Sequence, residues 1–507
     1  MKGCFFLQRR FAYVGHSMAV LLKERYGVSE FCAYVNMRSS FEFLRAQNEI
    51  NYTKLLLEED IYAEHKNERL DLKYLRELEE EYGLPNLWPY LKLDRILSSS
   101  LLLRGYPSDT PLYSHEEMLR ILQVTARAII KFLDEEKPDF IFFSVVSNLG
   151  SMLLYHIAKK KGIRTLIMYL PRLGNFYALS DSYDQFRDLE RAWQAISAAP
   201  AAPENKEKIA WAVNFLHEFQ SRPAAYVAES AAAANYLNPV ALRRHHFQFL
   251  NPRKFIRSLR WLWFSFYSYF TNPHRDDYDV IKPWHEVIDK IKSKYRVLVG
   301  AHDLYDKPGF REDFAFFALH VEPEVSPMLL APFYVDQLWL VKQTARSLPV
   351  HFKLYVKDHP KMVGRRPRSF YQELKKIPNV RIIDPLVSGF DLIAKSSLVL
   401  TITSTAAWEA ILMKKPAVIF SDIFYSRLSM AQVCRDINDL PYLVKKQLTH
   451  FVYDEPELTA FLAALRDESA KLDLLQIWDA EGGAQALGKK RQDLLPFVNL
   501  LARKLRL

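Results

Sequence analysis

The chain has 507 residues, which at roughly 150 residues a domain predicts two domains and a helical appendage. Hydrophobic residues make up 49% and charged residues 25%, which excludes a disordered or collagen-like chain; only 15 glycines argue against several glycine-rich phosphate loops. Lys and Arg number 69 against 59 Asp and Glu, and this net charge of +10 favours anionic partners such as phosphates, nucleotide sugars or anionic lipid.

The N-terminus and the cysteines favour a cytoplasmic protein. The first apolar run is shorter than the ~7–15 residues of a signal-peptide core and ends in two arginines. No stretch approaches the ~20 apolar residues of a membrane span. Cys4, Cys32 and Cys434 lie far apart without metal-ligand spacing, so we expect neither a disulfide framework nor a zinc module.

The first third of the chain alternates apolar and amphipathic segments, which predicts βαβ units. The clearest unit begins with the continuous apolar run at 139–146, typical of a strand buried on both faces. Asn148 is placed to cap the following helix and Gly162 to end it. The expected elements are a strand at 3–7, a helix at 13–26, strands at 31–35 and 139–146, a helix at 149–161 and a strand at 165–170.

The pattern is mostly helical from 183 to 294, and alternation resumes after about residue 313. Strands are expected at 314–319, 352–356, 380–383, 398–403 and 417–420, with helices at 333–347 and 404–413 and a helical tail from about 456. The fold class is therefore α/β, with two Rossmann-like domains, a helical linker and C-terminal helices. The expected boundaries are 1–240 for the acceptor domain, 241–295 for the linker, 296–475 for the nucleotide domain and 476–507 for the C-terminal helix. The ligand cleft should lie near the carboxyl ends of the strands.

The strongest candidate binding element is the passage from the strand at 398–403 into the next helix. Ser404 and Thr405 stand at the helix start, where backbone N–H groups and the positive end of the dipole attract an anion. Glu409 lies one turn later on the same face and is placed to accept hydrogen bonds from a ribose diol. The alternative is an ordinary N-cap followed by a solvated glutamate.

A second candidate follows the strand at 352–356. Pro360 keeps His359 extended, which places the imidazole at the crevice of an open α/β sheet. His359 can then donate to a nucleotide phosphate, and Lys357 adds charge. A purely structural role for this segment stays open.

Three further sites are candidates for acid/base or anion chemistry. Glu322 and Glu324 flank a proline just past a strand end, where carboxylates suit sugar hydroxyls or general acid/base catalysis. His16 opens a helix after the first strand and is a candidate base facing the cleft. Arg365 and Arg366 are placed to bind an anionic sugar or phosphate, although such runs are commonly solvated.

Several chemistries are excluded by their missing motifs. There is no Walker A sequence, no GxGxxG and no GxSxG elbow. Asp277 and Asp279 form a DxD pattern, but it lies in a polar linker beside Pro273, so we expect no metal site there. No cofactor is expected apart from the donor substrate, and no nucleic acid partner.

The segment Arg253–Phe270 combines basic residues with aromatic residues at helical spacing. Rings beside cations are what a helix on an anionic membrane surface needs, so a peripheral membrane contact is one interpretation. The other is that the aromatic stripe packs against the N-terminal domain as ordinary core.

Residues 317–425 resemble the bacterial capsule polysaccharide biosynthesis family, whose members include Kdo transferases with a GT-B-type fold. The matching motifs are LHVEPE (319–324), Asp336-Gln337, SLP (347–349), LYVKDHP (354–360), Gly364 with Arg366, PNV (378–380), TITSTAAWEA (401–410), KKP (414–416) and Phe424-Tyr425. The resemblance covers the C-terminal domain well and the N-terminal half only in outline.

The resemblance implies that His359, Ser404 and Thr405 hold the phosphate of a CMP-activated sugar. One departure stands out: where the family often has GTAGWEA, Ser404 and Ala407 replace the two glycines. Because side chains reduce backbone freedom and close approach, a site tuned to another nucleotide and a weakened site both stay open.

The sequence therefore predicts a cytoplasmic, metal-independent glycosyltransferase with a GT-B-like fold. It would move a sugar, CMP-linked and Kdo-like, from a nucleotide donor to a surface polysaccharide or glycolipid. The first alternative is a nucleotide-sugar epimerase or hydrolase on the same fold. The second is a non-catalytic nucleotide-sugar-binding subunit of a polysaccharide assembly complex.

Overall fold

A computed structural model describes residues 1–9, 11–83, 85–99, 111, 113–223, 252–275, 277, 280–472 and 491–507. Arg243 and Arg244, Tyr278 and Asp279 of the DxD pattern, and the first half of the predicted C-terminal helix lie outside these ranges. No helix in the described ranges combines the length and apolar character needed to span a membrane.

The N-terminal domain is built on a seven-stranded sheet in the order β13-β6-β5-β4-β1-β2-β3. β1 to β5 are parallel to one another. β6 pairs antiparallel with β5, and β13, at the edge of the sheet, pairs antiparallel with β6. The strands are β1 (Lys2–Leu7), β2 (Glu30–Val35), β3 (Tyr52–Leu57), β4 (Phe140–Phe143), β5 (Arg164–Tyr169), β6 (Phe176–Ser180) and β13 (Ser469–Lys471). The parallel part follows the 3-2-1-4-5 order of a doubly wound sheet, so its crevice opens between β1 and β4.

Helices cover both faces of this sheet, and two apolar clusters fill the space between. They are α1 (Phe11–Tyr26), α2 (Arg38–Ala46), α3 (Glu58–Glu64), α4 (Leu72–Tyr82), α5 (Trp88–Leu93), α6 (Arg95–Ser99), α7 (His115–Glu136) and α8 (Leu149–Lys160). The next two helices, α9 (Arg187–Ala198) and α10 (Pro203–Ser221), pack against the helix Glu455–Asp467 instead. Asn148 caps α8, as predicted, and Gly162 takes a left-handed φ of 72° just past its end.

The C-terminal domain is an all-parallel six-stranded sheet in the order β12-β11-β10-β7-β8-β9. Its strands are β7 (Phe314–Ala318), β8 (Lys353–Lys357), β9 (Val380–Ile383), β10 (Leu398–Thr401), β11 (Ala417–Ile419) and β12 (Ala431–Val433). This is the 3-2-1-4-5-6 order, and the crevice opens between β7 and β10. The covering helices are α13 (Val325–Leu330), α14 (Gln337–Ser347), α15 (Arg368–Lys375), α16 (Gly389–Lys395), α17 (Thr405–Leu412) and α18 (Leu440–His450). The predicted pair of Rossmann-like domains is confirmed.

The C-terminal segment returns to the first domain. After α19 (Glu455–Asp467), Ser469–Lys471 pairs antiparallel with β6, and α20 (Leu495–Leu505) lies beside α1. The expected boundary at residue 475 therefore falls too late, because hydrogen bonding places β13 in the N-terminal sheet. The local pattern around 469–471 is too short to signal a strand.

An apolar cluster joins the two domains. It packs Phe186 of the first domain with Trp408, Phe424 and Phe461 of the second, and the rings of Phe186 and Phe424 lie 6.5 Å apart. This shared core holds the crevices of the two sheets against each other.

The linker forms two helices, α11 (Pro252–Thr271) and α12 (Pro283–Val299). The contacts between them show that the two helices run in opposite directions. Lys290 lies over the Trp261 ring, and the rings of Tyr269 and Trp284 are 5.5 Å apart. They therefore form an antiparallel hairpin, named here the linker hairpin. The aromatic stripe of α11 is exposed, so its interpretation as ordinary core is wrong.

Candidate functional site

A cavity of about 600 Å³ lies between the carboxyl edges of the two sheets. Such a volume is typical of a small-molecule site. The first domain lines it with the segments that follow β1, β4 and β5, and the second with the start of α13 and the loop after β11. The residues of interest in its lining are Arg9, Arg95, Arg172 and Glu324.

Glu324 is held by a buried histidine that follows β7. His320 Nδ1 lies 2.9 Å from Glu324 Oε2, and Nε2 accepts a hydrogen bond of 3.1 Å from the backbone N–H of Thr403. Because Nε2 accepts, the ring proton is placed on Nδ1 and donated to the carboxylate. Burial opposes ionisation of Glu324, but the His320 hydrogen bond and the charge of Arg172 lower its pKa. Glu324 is therefore an oriented, ionised carboxylate at the cavity wall.

Side chains from elsewhere in the protein donate hydrogen bonds to three consecutive backbone carbonyls of the loop between β10 and α17 and so fix its conformation. Ile402 O accepts from Ser421 Oγ at 3.0 Å, Thr403 O from Arg172 at 2.8 Å, and Ser404 O from Tyr425 at 3.2 Å. Ser404 also caps α17 by accepting from the N–H of Ala406 at 3.2 Å. The helix start that the sequence predicts as an anion site is thus rigid before any ligand arrives.

Two hydrogen-bonding groups beside this helix start have no partner among the described residues. Arg172 Nη1 is buried and unpaired, although Nη2 is bonded to Thr403 O. The hydroxyl of Thr403 is also unpaired, in a side chain that is 1% exposed. Arg172 adopts a left-handed φ of 59°, which bulky residues rarely do. Unsatisfied buried polar groups at a helix N-terminus are a signature of a ligand site.

Three predicted residues that interact electrostatically with this site have perturbed ionisation. Burial lowers the pKa of His359 to about 4, and its Nδ1 accepts from the N–H of Lys361 at 3.1 Å. His359 is therefore uncharged at neutral pH, and Nε2 carries the donor proton. Burial lowers the pKa of Lys357 to about 8. Burial also raises the pKa of Glu409 to about 7, against the opposing charges of Arg172 and Lys357.

Arg366 and Glu322 form an internal cluster instead of binding sites. The guanidinium of Arg366 donates to Asp358 at 3.0 Å, to Glu322, and to the carbonyl of His320 at 2.6 Å. Arg366 is 5% exposed, so the expected anion contact is wrong for this residue. Its role is to tie the loop after β8 to the loop after β7. Arg365 is exposed at the surface, and Pro360 begins a short 3-10 turn beside His359.

His16 does not reach the cleft. It is buried, with Nδ1 3.2 Å from the Tyr52 hydroxyl and Nε2 3.2 Å from Glu49 Oε2. Burial lowers the pKa of His16, against the Glu49 hydrogen bond. Phe11 of the same helix lines the cavity. His16 lies five residues later, and because each residue rotates the helix by ~100°, its side chain points well away from the cavity. The expectation that His16 is the catalytic base is therefore wrong.

The structure adds residues that sequence reasoning missed. Arg172 comes from the first domain and His320 from the matched LHVEPE motif, where only the glutamates were considered. Arg9 and Arg95 also line the cavity. Burial and the charge of Arg9 lower the pKa of Arg95, against the opposing charges of Asp94 and Glu324. The only sequence signal for the arginines was the net charge of the chain.

The predicted residues fall into two groups. Glu324 faces the cavity beside the unpredicted Arg172, whereas the others lie at the strand ends and helix start: His359, Lys357, Ser404, Thr405 and Glu409. The charge of Arg172 acts on both Glu324 and Glu409, so the two groups adjoin. No cluster of three or more metal-ligating side chains occurs in the described part of the chain.

Comparison with known proteins finds weak structural likenesses. No family model and no curated protein matches the chain. Solved structures similar to it include a beta Kdo 2,7 transferase, KpsC of Thermosulfurimonas dismutans, at 10% identity and a TM-score of 0.36, covering 73% of this chain and 89% of that one. A UDP-GlcNAc 2-epimerase from Neisseria meningitidis bound to UDP-GlcNAc matches at 12% identity and a TM-score of 0.26, covering 98% and 100%. The glycotransferase of kitacinnamycin matches at 11% and 0.23, covering 97% and 98%. The fold assignment rests on the strand orders of the two sheets.

Proposed function

We propose that this protein is a glycosyltransferase that takes its sugar from a nucleotide donor. The observation that carries the proposal is the preformed helix start at Ser404, beside the unpartnered Nη1 of Arg172 and the unpartnered hydroxyl of Thr403. A phosphate would satisfy both groups at once. The adjoining cavity, bounded by the other domain, leaves room for a second substrate.

The phosphate of the donor is held by protein groups alone in this proposal. Arg172 and Lys357 supply positive charge, the Nε2–H of His359 donates, and the first turn of α17 offers backbone N–H groups. As the bond between the anomeric carbon and the phosphate oxygen breaks, these groups stabilise the negative charge left on the nucleotide.

Glu324 is the proposed base. It accepts the proton of the acceptor hydroxyl while that oxygen bonds to the anomeric carbon. His320 orients the carboxylate through its Nδ1–H and keeps it ionised at neutral pH. Arg9 and Arg95, on the opposite wall, favour an acceptor or sugar that carries negative charge.

By the family resemblance, the donor is a CMP-linked, Kdo-like acidic sugar and the acceptor a surface saccharide or glycolipid. The arginine-lined cavity is consistent with an acidic sugar. A nucleotide-sugar epimerase would require a pair of carboxylates at the sugar. Glu322 is bound to Arg366 and is not among the residues that line the cavity, so this pair is missing there.

A donor panel tests the proposal. CMP-, UDP- and GDP-sugars are incubated with the protein, with and without short saccharide acceptors, and released nucleotide and glycosylated product are both measured. Transfer predicts nucleotide release that depends on the acceptor and matches product formation. Nucleotide release without acceptor dependence would indicate a hydrolase, and a changed sugar on an intact donor would indicate an epimerase. Nucleotide-sugar binding without turnover would support the alternative function, a non-catalytic nucleotide-sugar-binding subunit.

The role of Glu324 is tested with a matched pair of variants. Glu324→Gln should slow turnover by ~10²–10⁴-fold because the base is lost, with nucleotide affinity nearly unchanged. Glu322→Gln, two residues away and bonded to Arg366, is the control and should keep most of its turnover once folded. Wild-type turnover in Glu324→Gln would remove this residue from the mechanism.

A further inference from the structure

The linker hairpin exposes two apolar stripes. On α11 the exposed apolar and aromatic side chains are Phe255, Ile256, Leu259, Trp263, Phe264, Tyr267 and Phe270. At 100° per residue all but Phe264 fall within an arc of about 120°, and Phe264 lies about 60° beyond the Tyr267 edge of that arc. On α12 the exposed side chains Trp284, Ile288, Ile291, Tyr295, Leu298 and Val299 fall within an arc of about 100°. Trp263 is 75% exposed, and contiguous apolar surface of this kind indicates a binding face.

Basic side chains border these stripes. The basic side chains of α11 lie beyond the Tyr267 edge of that arc: Arg260 by about 20°, Arg253 by about 40° and Arg257 by about 80°. The two helices carry eight Lys and Arg against two Asp and Glu, and α11 carries no acidic residue. Of the two acids on α12, Asp289 is buried and Glu286 lies 3.7 Å from Lys290. The exposed face is therefore aromatic and cationic together.

The hairpin is anchored to the two domains at its opposite ends. Asp277, between the two helices, pairs with Arg38 of the first domain at 3.0 Å. At the end of α12, Arg296 donates to the carbonyl of Arg365, and Arg368 donates to the carbonyl of Gly300 at 3.1 Å. The exposed stripes thus lie on a hairpin that is held at both ends, so their apolar surface is a property of the folded protein.

We propose that the linker hairpin docks on the surface of an anionic phospholipid bilayer. Aromatic rings suit the headgroup layer, and arginines beside them attract acidic lipid headgroups. The net positive charge of the face disfavours the other simple occupant, a second copy of the chain, because two such faces would repel each other. The proposal does not depend on the proposed transferase activity.

Vesicle co-sedimentation of the whole chain, without any sugar, tests the proposal. The protein should sediment with vesicles of phosphatidylcholine and phosphatidylglycerol, much less with phosphatidylcholine alone, and less again as salt rises. Arg257→Glu with Arg260→Glu should lower the partition coefficient by more than about tenfold, since each basic residue near the surface contributes attraction. Trp263→Ser with Phe270→Ser should also lower it.

A matched control separates docking from general electrostatics. Lys73→Glu with Arg76→Glu makes the same charge change at the same spacing on the exposed side of α4, and should leave vesicle binding within about twofold. All of these positions are exposed, so circular dichroism should show unchanged folding. Failure to sediment with either vesicle type, or equal loss in the control, would overturn the proposal. So would a dimer in sedimentation velocity that Trp263→Ser with Phe270→Ser abolishes.

Discussion

Replacing Arg172 with methionine should weaken nucleotide binding more than any other single change outside the C-terminal domain. Its Nη2 donates a hydrogen bond to Thr403 O at 2.8 Å, whereas the buried Nη1 has no partner among the described residues. A phosphate oxygen at Nη1 forms a charge-assisted hydrogen bond, and each such bond contributes about 1.5–3 kcal/mol. One lost bond therefore predicts ~10- to 150-fold weaker binding.

Isothermal titration calorimetry with CMP, CDP and UDP measures this loss, and thermal unfolding without nucleotide measures the structural cost. Arg172→Lys should be intermediate, because it keeps the charge without the planar fork of donors. The control is Arg427→Gln, which removes another interdomain pair, 3.4 Å from Glu190, at an exposed site. Nucleotide affinity unchanged in Arg172→Met, or equally reduced in Arg427→Gln, would refute the assignment of Arg172 to the phosphate.

Four further predictions follow from the same site. Ser404→Ala with Thr405→Ala should weaken nucleotide binding by about 1–3 kcal/mol in calorimetry, and unchanged affinity would contradict the helix-start site. Nucleotide affinity should fall as pH rises from about 7 to 9, because Glu409 gains negative charge above about 7 and Lys357 loses its charge above about 8. Glu409→Gln should delay that fall, and a flat profile in the wild type would exclude both groups. Turnover should survive EDTA; its loss and recovery with Mg²⁺ would show that a metal holds the phosphate. Asp358→Asn should lower the free energy of unfolding by about 1–3 kcal/mol, measured in urea, because it removes one of the two carboxylates that pair with the buried Arg366.

The alternation of buried strands with helices was readable in the sequence. Phe140–Phe143 is entirely apolar and entirely buried, and Asn148 and Gly162 punctuate the following helix as their chemistry dictates. Local pattern suffices for such elements because a strand between helices must be apolar on both faces. The same local logic placed His359, Ser404 and Glu324 at strand ends, where a doubly wound sheet forms its crevice.

The partners of those residues were decided only by the tertiary structure. Arg172 and Thr403 are 231 residues apart and lie in different domains, and no spacing in the sequence signals their contact. His16 and Arg366 show the converse: each fits a functional pattern, but packing turns the first toward Glu49 and the second toward Asp358. Sequence pattern thus determined which residues stand at strand ends and helix starts. Which of them meet a ligand depended on long-range packing, because the orientation of each helix and the neighbours of each charge are set by contacts across the whole chain.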